Sequence, residues 1–431
     1  MRGDIGMVGG ERRGVRKIEF FAPRAVGLEE VLEARERRQA AQRALLARWG
    51  TPLVSLCMNV PGPVKDTPLI ELAFRHGLDE LEARLPPLLS MEVRRDAAGP
   101  EALLACRMEA SALKALGEAV EAEAPVGRLL DVDVLDGEGR KLSRAVPRAC
   151  IVCGGPAFDC ARSRAHGLAA VEAAARALLV GWAAPRFAEA AEAALLEEAR
   201  LTPKPGLVDR SNNGAHRDMD LPMLERSARA LRPYFERFFE AGTEEPDRFL
   251  PLKEVGVEAE AAMMEATGGV NAHRGAIFAL GLLLGALGAS LLDGRDVLQR
   301  AAALARQRRG GGEGSHGASV RARYGAGGAV EEALAGFPTA WRARAVLEAK
   351  GPLTALLGLL ARCTDTNLLY RGGRKGLLLV RAMARAALCL PQGMHPWAMR
   401  GMDRVMIRQN LSPGGSADLL ALALFMERVG L

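Results

Sequence analysis

From about Leu168 onward the apolar residues recur at helical spacing, in Ala-, Leu- and Glu-rich segments separated by glycine-rich loops, and strand candidates all but vanish. A stripe of period 3.6 cannot present one face as a strand, so this part of the chain is predicted to be all-helical. The earlier part is mixed. Leu28 to Trp49 carries apolar residues at helical spacing on a charged background and stops at Gly50, which reads as a surface helix with a glycine C-cap. PLVSLCMNVPG is short, partly alternating and closed by Pro-Gly, as a strand running into a loop would be. A second strand is expected at Arg128 to Leu135, between the turn signals Pro125-Val126-Gly127 and Asp136-Gly137. The fold class is therefore multidomain, an α+β N-terminal domain followed by an all-α C-terminal domain.

At 431 residues the chain is long enough for two cores. The boundary is placed in the alanine-rich stretch 168–184, giving domains at 18–170 and 185–431, with residues 1–17, rich in Gly and Arg, as a flexible extension without a signal peptide. Gly275 to Leu292 has no charged residue and is long enough to span a bilayer. Its four glycines, its lack of Trp and Tyr anchors and the adjacent Arg274 favour a buried helix and no membrane association. A net charge of +6, with no long basic run, suits small phosphorylated ligands. Aromatic content of 4% and the lack of a stacking platform argue against a nucleic-acid partner. Seven cysteines, an odd number, point to a reducing, cytoplasmic setting.

Two regions concentrate chemistry. In GRLLDVDVLDGEG, Asp131 and Asp133 are two apart, which on a strand puts both carboxylates on one face while Val132 and Val134 face the core. Such a pair can hold magnesium against a triphosphate and is suited to nucleotidyl transfer; it is also what the solvated face of an edge strand looks like. The loop Asn59-Val60-Pro61-Gly62-Pro63-Val64-Lys65 supplies an amide, a close-approach glycine and a lysine, the parts of a phosphate cradle. Cys150, Cys153, Cys160 and His166 read C-x2-C-x6-C-x5-H, which a tetrahedral structural zinc could gather, or which could be three reduced cysteines and a surface histidine. In the second part, TPKPGLVD with NNGAHRDMD packs Lys204, Asp209, Asn213, His216 and Asp218 into one stiff loop region. TGGVNAHRG opens the long apolar helix with Asn271, His273 and Arg274, where free N–H groups favour anionic phosphate. DTNLLYRGG and SPGGSAD follow, and Ser315-His316-Gly317 adds a further polar turn.

NVPGPVK, the Cys-x-x-Cys run, Asp131-x-Asp133 with Arg128, and Arg35, Arg38 and Gln42 on the first helix together resemble the apo-citrate-lyase phosphoribosyl-dephospho-CoA transferases, over residues 18 to 170. TPKPGLVD, NNGAHRDMD, TGGVNAHRG, DTNLLYRGG and SPGGSAD, in that order, resemble the triphosphoribosyl-dephospho-CoA synthases over residues 185 to 431. The resemblance implies a fused enzyme. Its second part would join ATP to 3'-dephospho-CoA with loss of adenine. Its first, nucleotidyltransferase-like part would pass phosphoribosyl-dephospho-CoA to a serine of the citrate lyase acyl carrier protein with loss of pyrophosphate. The same chemistry could serve the carrier protein of malonate decarboxylase, or the helical half could only bind a ligand or the carrier.

By that resemblance and by chemistry, Asp131 and Asp133 are expected to be catalytic through magnesium, with Arg35, Asn59, Gly62, Lys65 and Arg128 on substrate. In the helical part Asp209, Asp218, Glu260 and Asp365 are allotted to magnesium or the developing sugar cation. Lys204, Asn213, Asn271, Arg274, Asn367 and Arg371 are allotted to substrate and phosphates, and His216 and His273 to proton transfer. Three positions depart from the synthase pattern: Ala318 stands where an acid is expected, Val330-Glu331 where Arg-Gly is expected, and Arg274 where lysine is expected.

Overall fold

The computed structural model describes residues 17–123, 125–144, 146–308 and 316–431. Residues 1–16 of the expected extension and Ser315 lie outside them, as do the side chains of His316, Gly317 and Ala318. The chain divides into two compact units, Glu19–Ala183 with Leu291–Arg295, and Ala184–Ser290 with Asp296–Leu431.

The first unit is α+β. Helix α1 (Leu28–Trp49) ends on Gly50, whose φ of 61° and N–H bond to the Leu46 carbonyl make the left-handed cap that the glycine permits. Strand β1 (Leu53–Met58) leads to α2 (Pro68–Arg84), capped by the Thr67 hydroxyl. An antiparallel hairpin follows, β2 (Leu88–Asp96) and β3 (Gly99–Cys106), then α3 (Ala110–Glu123) and β4 (Leu130–Leu135). The sheet order is β2-β3-β1-β4, with all pairings antiparallel. Two corrections to the sequence reading follow. Residues Pro125–Leu129 form a 3-10 turn, so the last strand starts at Leu130 and Arg128 precedes it. The β2–β3 hairpin was not anticipated, because the central strand GPEALLAC is built from residues with helical preference. Val54, Leu56, Leu104, Val132 and Val134 pack on Phe74, Leu81 and Leu113 of α2 and α3. On the opposite face Leu53, Leu103 and Ala105 pack on Leu45 of α1.

A short helix α4 (Ala157–Ser163) precedes α5 (Leu168–Arg200), which is continuous through the expected boundary at 168–184. The second unit is helical in all its described elements: α6 (Leu221–Glu244), α7 (Phe249–Ala266), α8 (Arg274–Asp293), α9 (Val297–Arg306), α10 (His316–Tyr324), α11 (Gly328–Leu334), α12 (Pro338–Lys350), α13 (Pro352–Arg362), α14 (Thr366–Leu388, kinked at Gly373), α15 (His395–Arg408) and α16 (Gly414–Val429). Helix α8 is the uncharged run seen in the sequence. Both α5 and α8 are long and apolar enough to cross a membrane, but 83% of the apolar window of α8 is buried within the protein. Its glycines form a packing seam. A Cβ on Gly281 would strike the Phe238 ring, one on Gly285 would strike Leu252, and one on Gly288 would lie 2.4 Å from the Phe239 carbonyl oxygen. Gly242 of α6 closes the seam, since a Cβ there would sit 1.9 Å from the Gly285 carbonyl oxygen. Gly242→Ala is therefore expected to destabilise the helical unit by about 1–3 kcal/mol, seen in calorimetry as a Tm lowered by several degrees. An unchanged Tm would show that the seam relaxes freely.

Candidate functional site

In the α+β unit, β4 carries alternating burial, with Val132 and Val134 inward and Asp131 and Asp133 on the other face. Asp131 and Asp133 lie opposite Cys57 and Ser55 of β1, so the four side chains form one polar stripe. Helix α1 covers it: Gln42 donates to the Ser55 hydroxyl at 3.2 Å, and Arg38 donates to Glu101 at 2.6 Å while its other end approaches the Cys57 sulfur at 3.6 Å. The helical period sets Arg35, Arg38 and Gln42 on the same face. Between this face and the sheet is a cavity of about 950 Å³, lined by Arg35, Arg38, Asn59, Lys65, Asp131 and Asp133, among others. Lys65 donates to the Val60 carbonyl at 2.6 Å, which folds the cradle loop on itself, and desolvation lowers its pKa from the ordinary lysine value.

The structure thus brings Arg35, Asn59, Lys65, Asp131 and Asp133 to one cavity. It does not bring Gly62 or Arg128 there. Gly62, at φ +81°, has no room for a Cβ because the Glu172 carboxylate would meet it at 2.0 Å; its close approach is to an acid, not to a phosphate site. Arg128 spends its guanidinium on the Ala149 carbonyl, with one bond at 2.8 Å. Residues missed in the sequence complete the site. Arg148 joins Asp131 at 2.8 Å and the buried Glu121 at 2.6 Å, and Lys141 pairs with Asp133 at 2.6 Å. Burial pushes the Cys57 thiol up to about 11, with the nearby acids adding to the rise, so it stands as a neutral thiol, not a nucleophile.

Cys150, Cys153, Cys160 and His166 converge in the same unit, with one potential ligand atom from each lying within 4.8 Å of all the others. Backbone N–H groups of Cys153 and then Val152 hold the Cys150 thiol down at about 6, while the bond to Cys153 and burial push Cys160 up to about 11.

In the helical unit a larger cavity, about 2060 Å³, is lined by Lys204, His216, Asp218, Glu260, Asn271, His273, Arg274, Asp365, Asn367 and Arg371. Its floor is charged yet closed to water. Lys204, 1% exposed, donates to the buried Glu198 of α5 at 2.7 Å. His273 is buried, bonded to the Ser227 hydroxyl at 2.8 Å, and its Nε2 has no hydrogen-bond partner among the described residues. Desolvation, then the Lys204 charge, lowers His273 to about 4; desolvation, then Arg371, lowers His216 likewise to about 4. At neutral pH both are imidazoles, which makes them weak proton donors.

Asp209 and Asp365 differ from their expected roles. Asp209 is buried in its own loop, accepting from the N–H groups of Lys204 at 2.9 Å, Ser211 at 2.6 Å and Asn212 at 3.1 Å, and it does not line the cavity. Asp365 reaches the cavity wall, but it is the N-cap of α14, bonded to Asn367 and Leu368 N–H, and its second oxygen takes the Ser416 N–H and hydroxyl. Both carboxylates are thus committed to organising backbone. Asn213 is exposed and also outside the cavity lining. Arg371 holds the Ala215 carbonyl at 2.9 Å and Asn410 at 3.1 Å, which joins the motif loop to the C-terminal helices. Glu260 is paired with Arg274 at 2.9 Å. Val330 and Glu331 line the cavity where the synthase pattern has Arg-Gly, and Glu331 accepts the Gly327 N–H at 3.0 Å.

One acid was overlooked although its motif was in view. Asp418, the last residue of SPGGSAD, stands at the cavity wall against the start of α8, where a Cβ on Gly275 would lie 2.0 Å from its Oδ2. Desolvation, with Glu198 and Asp365 nearby, pushes its carboxyl up to about 8. Burial thus disfavours the charged form of this acid.

Comparison with known proteins divides the chain in the same way. Residues 26–181 match the family model described as apo-citrate lyase phosphoribosyl-dephospho-CoA transferase, and residues 184–430 match ATP:dephospho-CoA triphosphoribosyl transferase. The chain is 32% identical to Protein CitXG of Haemophilus influenzae, over 93% of this chain and 96% of that one. It is 44% identical to a probable 2-(5''-triphosphoribosyl)-3'-dephosphocoenzyme-A synthase of Azotobacter vinelandii, over 57% of this chain and 92% of the relative. The corresponding synthase of Klebsiella pneumoniae is 42% identical, over 56% of this chain and 94% of its own length.

Proposed function

The chain belongs to the family that joins an apo-citrate lyase phosphoribosyl-dephospho-CoA transferase to an ATP:dephospho-CoA triphosphoribosyl transferase in one polypeptide, so both regions are transferases, and we propose that they act in succession on one prosthetic group. The helical unit joins ATP to 3'-dephospho-CoA. The ribose 2'-hydroxyl of dephospho-CoA gives up its proton as its oxygen bonds to the anomeric carbon of ATP, the bond to adenine breaks, and adenine leaves with the electron pair and takes up one proton. The α+β unit then passes phosphoribosyl-dephospho-CoA to a serine of the citrate lyase acyl carrier protein, and pyrophosphate departs. We read its sheet as a nucleotidyltransferase-like platform, supported by the strand-borne acid pair. The cytoplasm suits the seven unpaired cysteines.

The helical cavity carries this reading. Its volume of about 2060 Å³ is roughly twice the upper end of ordinary small-molecule sites, room enough for two nucleotides. Arg217, Lys253, Arg274, Arg321 and Arg371 line it and suit a triphosphate. Magnesium's preference for oxygen ligands fits Asp218 and Glu260 there, and Asp131 and Asp133 in the other unit, where the ion pairs observed use one oxygen of each Asp carboxylate. Bound magnesium would neutralise charge on the triphosphate and on the departing pyrophosphate. Glu260 places negative charge toward the developing sugar cation. Asp418, protonated at neutral pH, is the group suited to supply the proton to adenine, in place of His216 and His273.

The test is incubation of the full chain with ATP, 3'-dephospho-CoA and apo acyl carrier protein. Adenine should appear only when both nucleotides are present, and the carrier's mass should rise by one phosphoribosyl-dephospho-CoA group. Binding of both nucleotides with no adenine released would reduce the helical unit to a binding module.

A further inference from the structure

We propose that Cys150, Cys153, Cys160 and His166 bind a single structural zinc ion, which fixes the hairpin that presents Arg148 to Asp131. The donor set is three thiols and one imidazole, a composition typical of tetrahedral zinc. Around such an ion the donor atoms stand roughly 3.3–3.8 Å apart, as follows from bond lengths of about 2.0–2.3 Å. Cys153 and Cys160 sulfurs are already 3.5 Å apart, and the whole set lies within 4.8 Å, so closure needs only small side-chain rotations.

The backbone is shaped for this. In Cys150-Ile151-Val152-Cys153-Gly154-Gly155 the chain turns back on itself, with Cys150 N–H donating to the Gly155 carbonyl at 2.6 Å and Gly154 N–H to the Cys150 carbonyl at 2.9 Å. Gly154 takes φ +75°, which a residue with a Cβ would resist, and Val152 N–H points at the Cys150 sulfur at 3.5 Å, a contact that stabilises a thiolate. Cys160 is supplied by α4 and His166 by the segment after its left-handed cap at Arg164. The Nε2 of His166 is buried with no hydrogen-bond partner among the described residues. A buried unpartnered nitrogen on the histidine that converges with three thiols is independent support for a ligand that the side chains alone do not provide.

The hairpin bears directly on the acid pair. Ala157 N–H donates to the Arg148 carbonyl at 2.9 Å, Ala149 pairs with Pro156, and Arg128 grips the Ala149 carbonyl, so Arg148 belongs to the turn closed by the four ligands. Its guanidinium reaches Asp131 and Glu121. Zinc is thus assigned a structural part and Arg148 a positioning part. Only this second statement rests on the transferase reading of Asp131.

Full-length protein purified without chelators should contain one zinc per chain by elemental analysis. Cobalt exchanged into the site should show thiolate-to-cobalt charge-transfer bands and intense tetrahedral d–d absorption. Cys153→Ser and His166→Ala should lose the metal, whereas His166→Cys, which restores a fourth ligand, should keep it. Carrier labelling from preformed triphosphoribosyl-dephospho-CoA should fall in the metal-free variants and return with His166→Cys, while adenine release, which belongs to the helical unit, stays at its full rate and an unchanged circular dichroism spectrum is the control for folding of the α+β unit. Absence of stoichiometric metal with all thiols reduced overturns the site, as does a Cys153–Cys160 disulfide found by mass spectrometry in fresh protein. Metal present, but labelling unaffected by its loss, overturns the link to Arg148. Because metal content is read directly, the first result does not depend on which reaction the unit catalyses, whereas the second is read from the transfer itself.

Discussion

Asp131→Asn is expected to abolish labelling of the carrier protein while adenine release continues at the unaltered rate. The side chain lies on the cavity-lining face of an edge strand whose other face is core, so the substitution changes charge without disturbing packing. Arg148 keeps a hydrogen-bond acceptor but loses its anionic partner, and the stripe with Asp133 loses half of its oxygen-ligand charge. Removing a carboxylate that holds a metal against the leaving pyrophosphate should cost several kcal/mol of transition-state stabilisation, about a thousandfold or more in rate. The measurement is carrier mass from supplied triphosphoribosyl-dephospho-CoA, with adenine by chromatography on the same sample. If transfer proceeds normally, or if adenine release stops as well, the assignment of this face to the second half-reaction fails.

Asp418→Asn should do the converse. Adenine release should drop by at least about a hundredfold, the usual scale of a lost general acid, while transfer from the preformed intermediate persists. The pH profile of the unaltered chain carries the sign. An aspartate raised to about 8 in the folded state is protonated below that pH, so adenine release should fall as pH climbs through about 8 and be flat on the neutral side. A limb near pH 4 alone, where His216 and His273 titrate, would return the proton to the histidines. Undiminished release by Asp418→Asn would exclude the carboxyl altogether.

Features set by local chemistry were readable from the sequence. Helix α1 and its Gly50 cap, β1, and the outward Asp131 and Asp133 follow from period, turn residues and the Val132–Val134 alternation. Helix α8 was readable as buried because glycine at packing distance, more than hydropathy alone, marks a helix surrounded by protein. What escaped depends on partners far along the chain. Strand β3 (Gly99–Cys106) carries no strand signal in its Glu-Ala-Leu-Leu-Ala run, and its pairing with β1 and β2 overrides that propensity. Arg148 opens the Arg-Ala-Cys run yet had no role to read there, and Lys141 and Glu198 carry no motif of their own; only the fold sets the three beside Asp131, Asp133 and Lys204. Asp209 and Asp365 show the opposite failure. They sit in the motif loops, yet in this chain each holds a backbone hydrogen-bond pattern: an acid that accepts two or three N–H groups shapes a loop or starts a helix.

The loop that carries Lys204 and His216 is fastened from a great distance in sequence. Asp403 of α15 accepts the Gly206 N–H at 2.9 Å and the Asn212 side chain at 3.0 Å, and Ser412 meets His216 at 2.7 Å. Those contacts span 191 to 197 residues. On a ribosome making about 5–20 residues per second, the loop waits of the order of ten seconds for its fasteners to be made. The helices of the second unit can gather earlier, through neighbours such as α6 and α7, but the cavity acquires its floor only when the last two helices arrive. The geometry of the loop that carries Lys204 and His216 is therefore fixed only after α15 and Ser412 have been made.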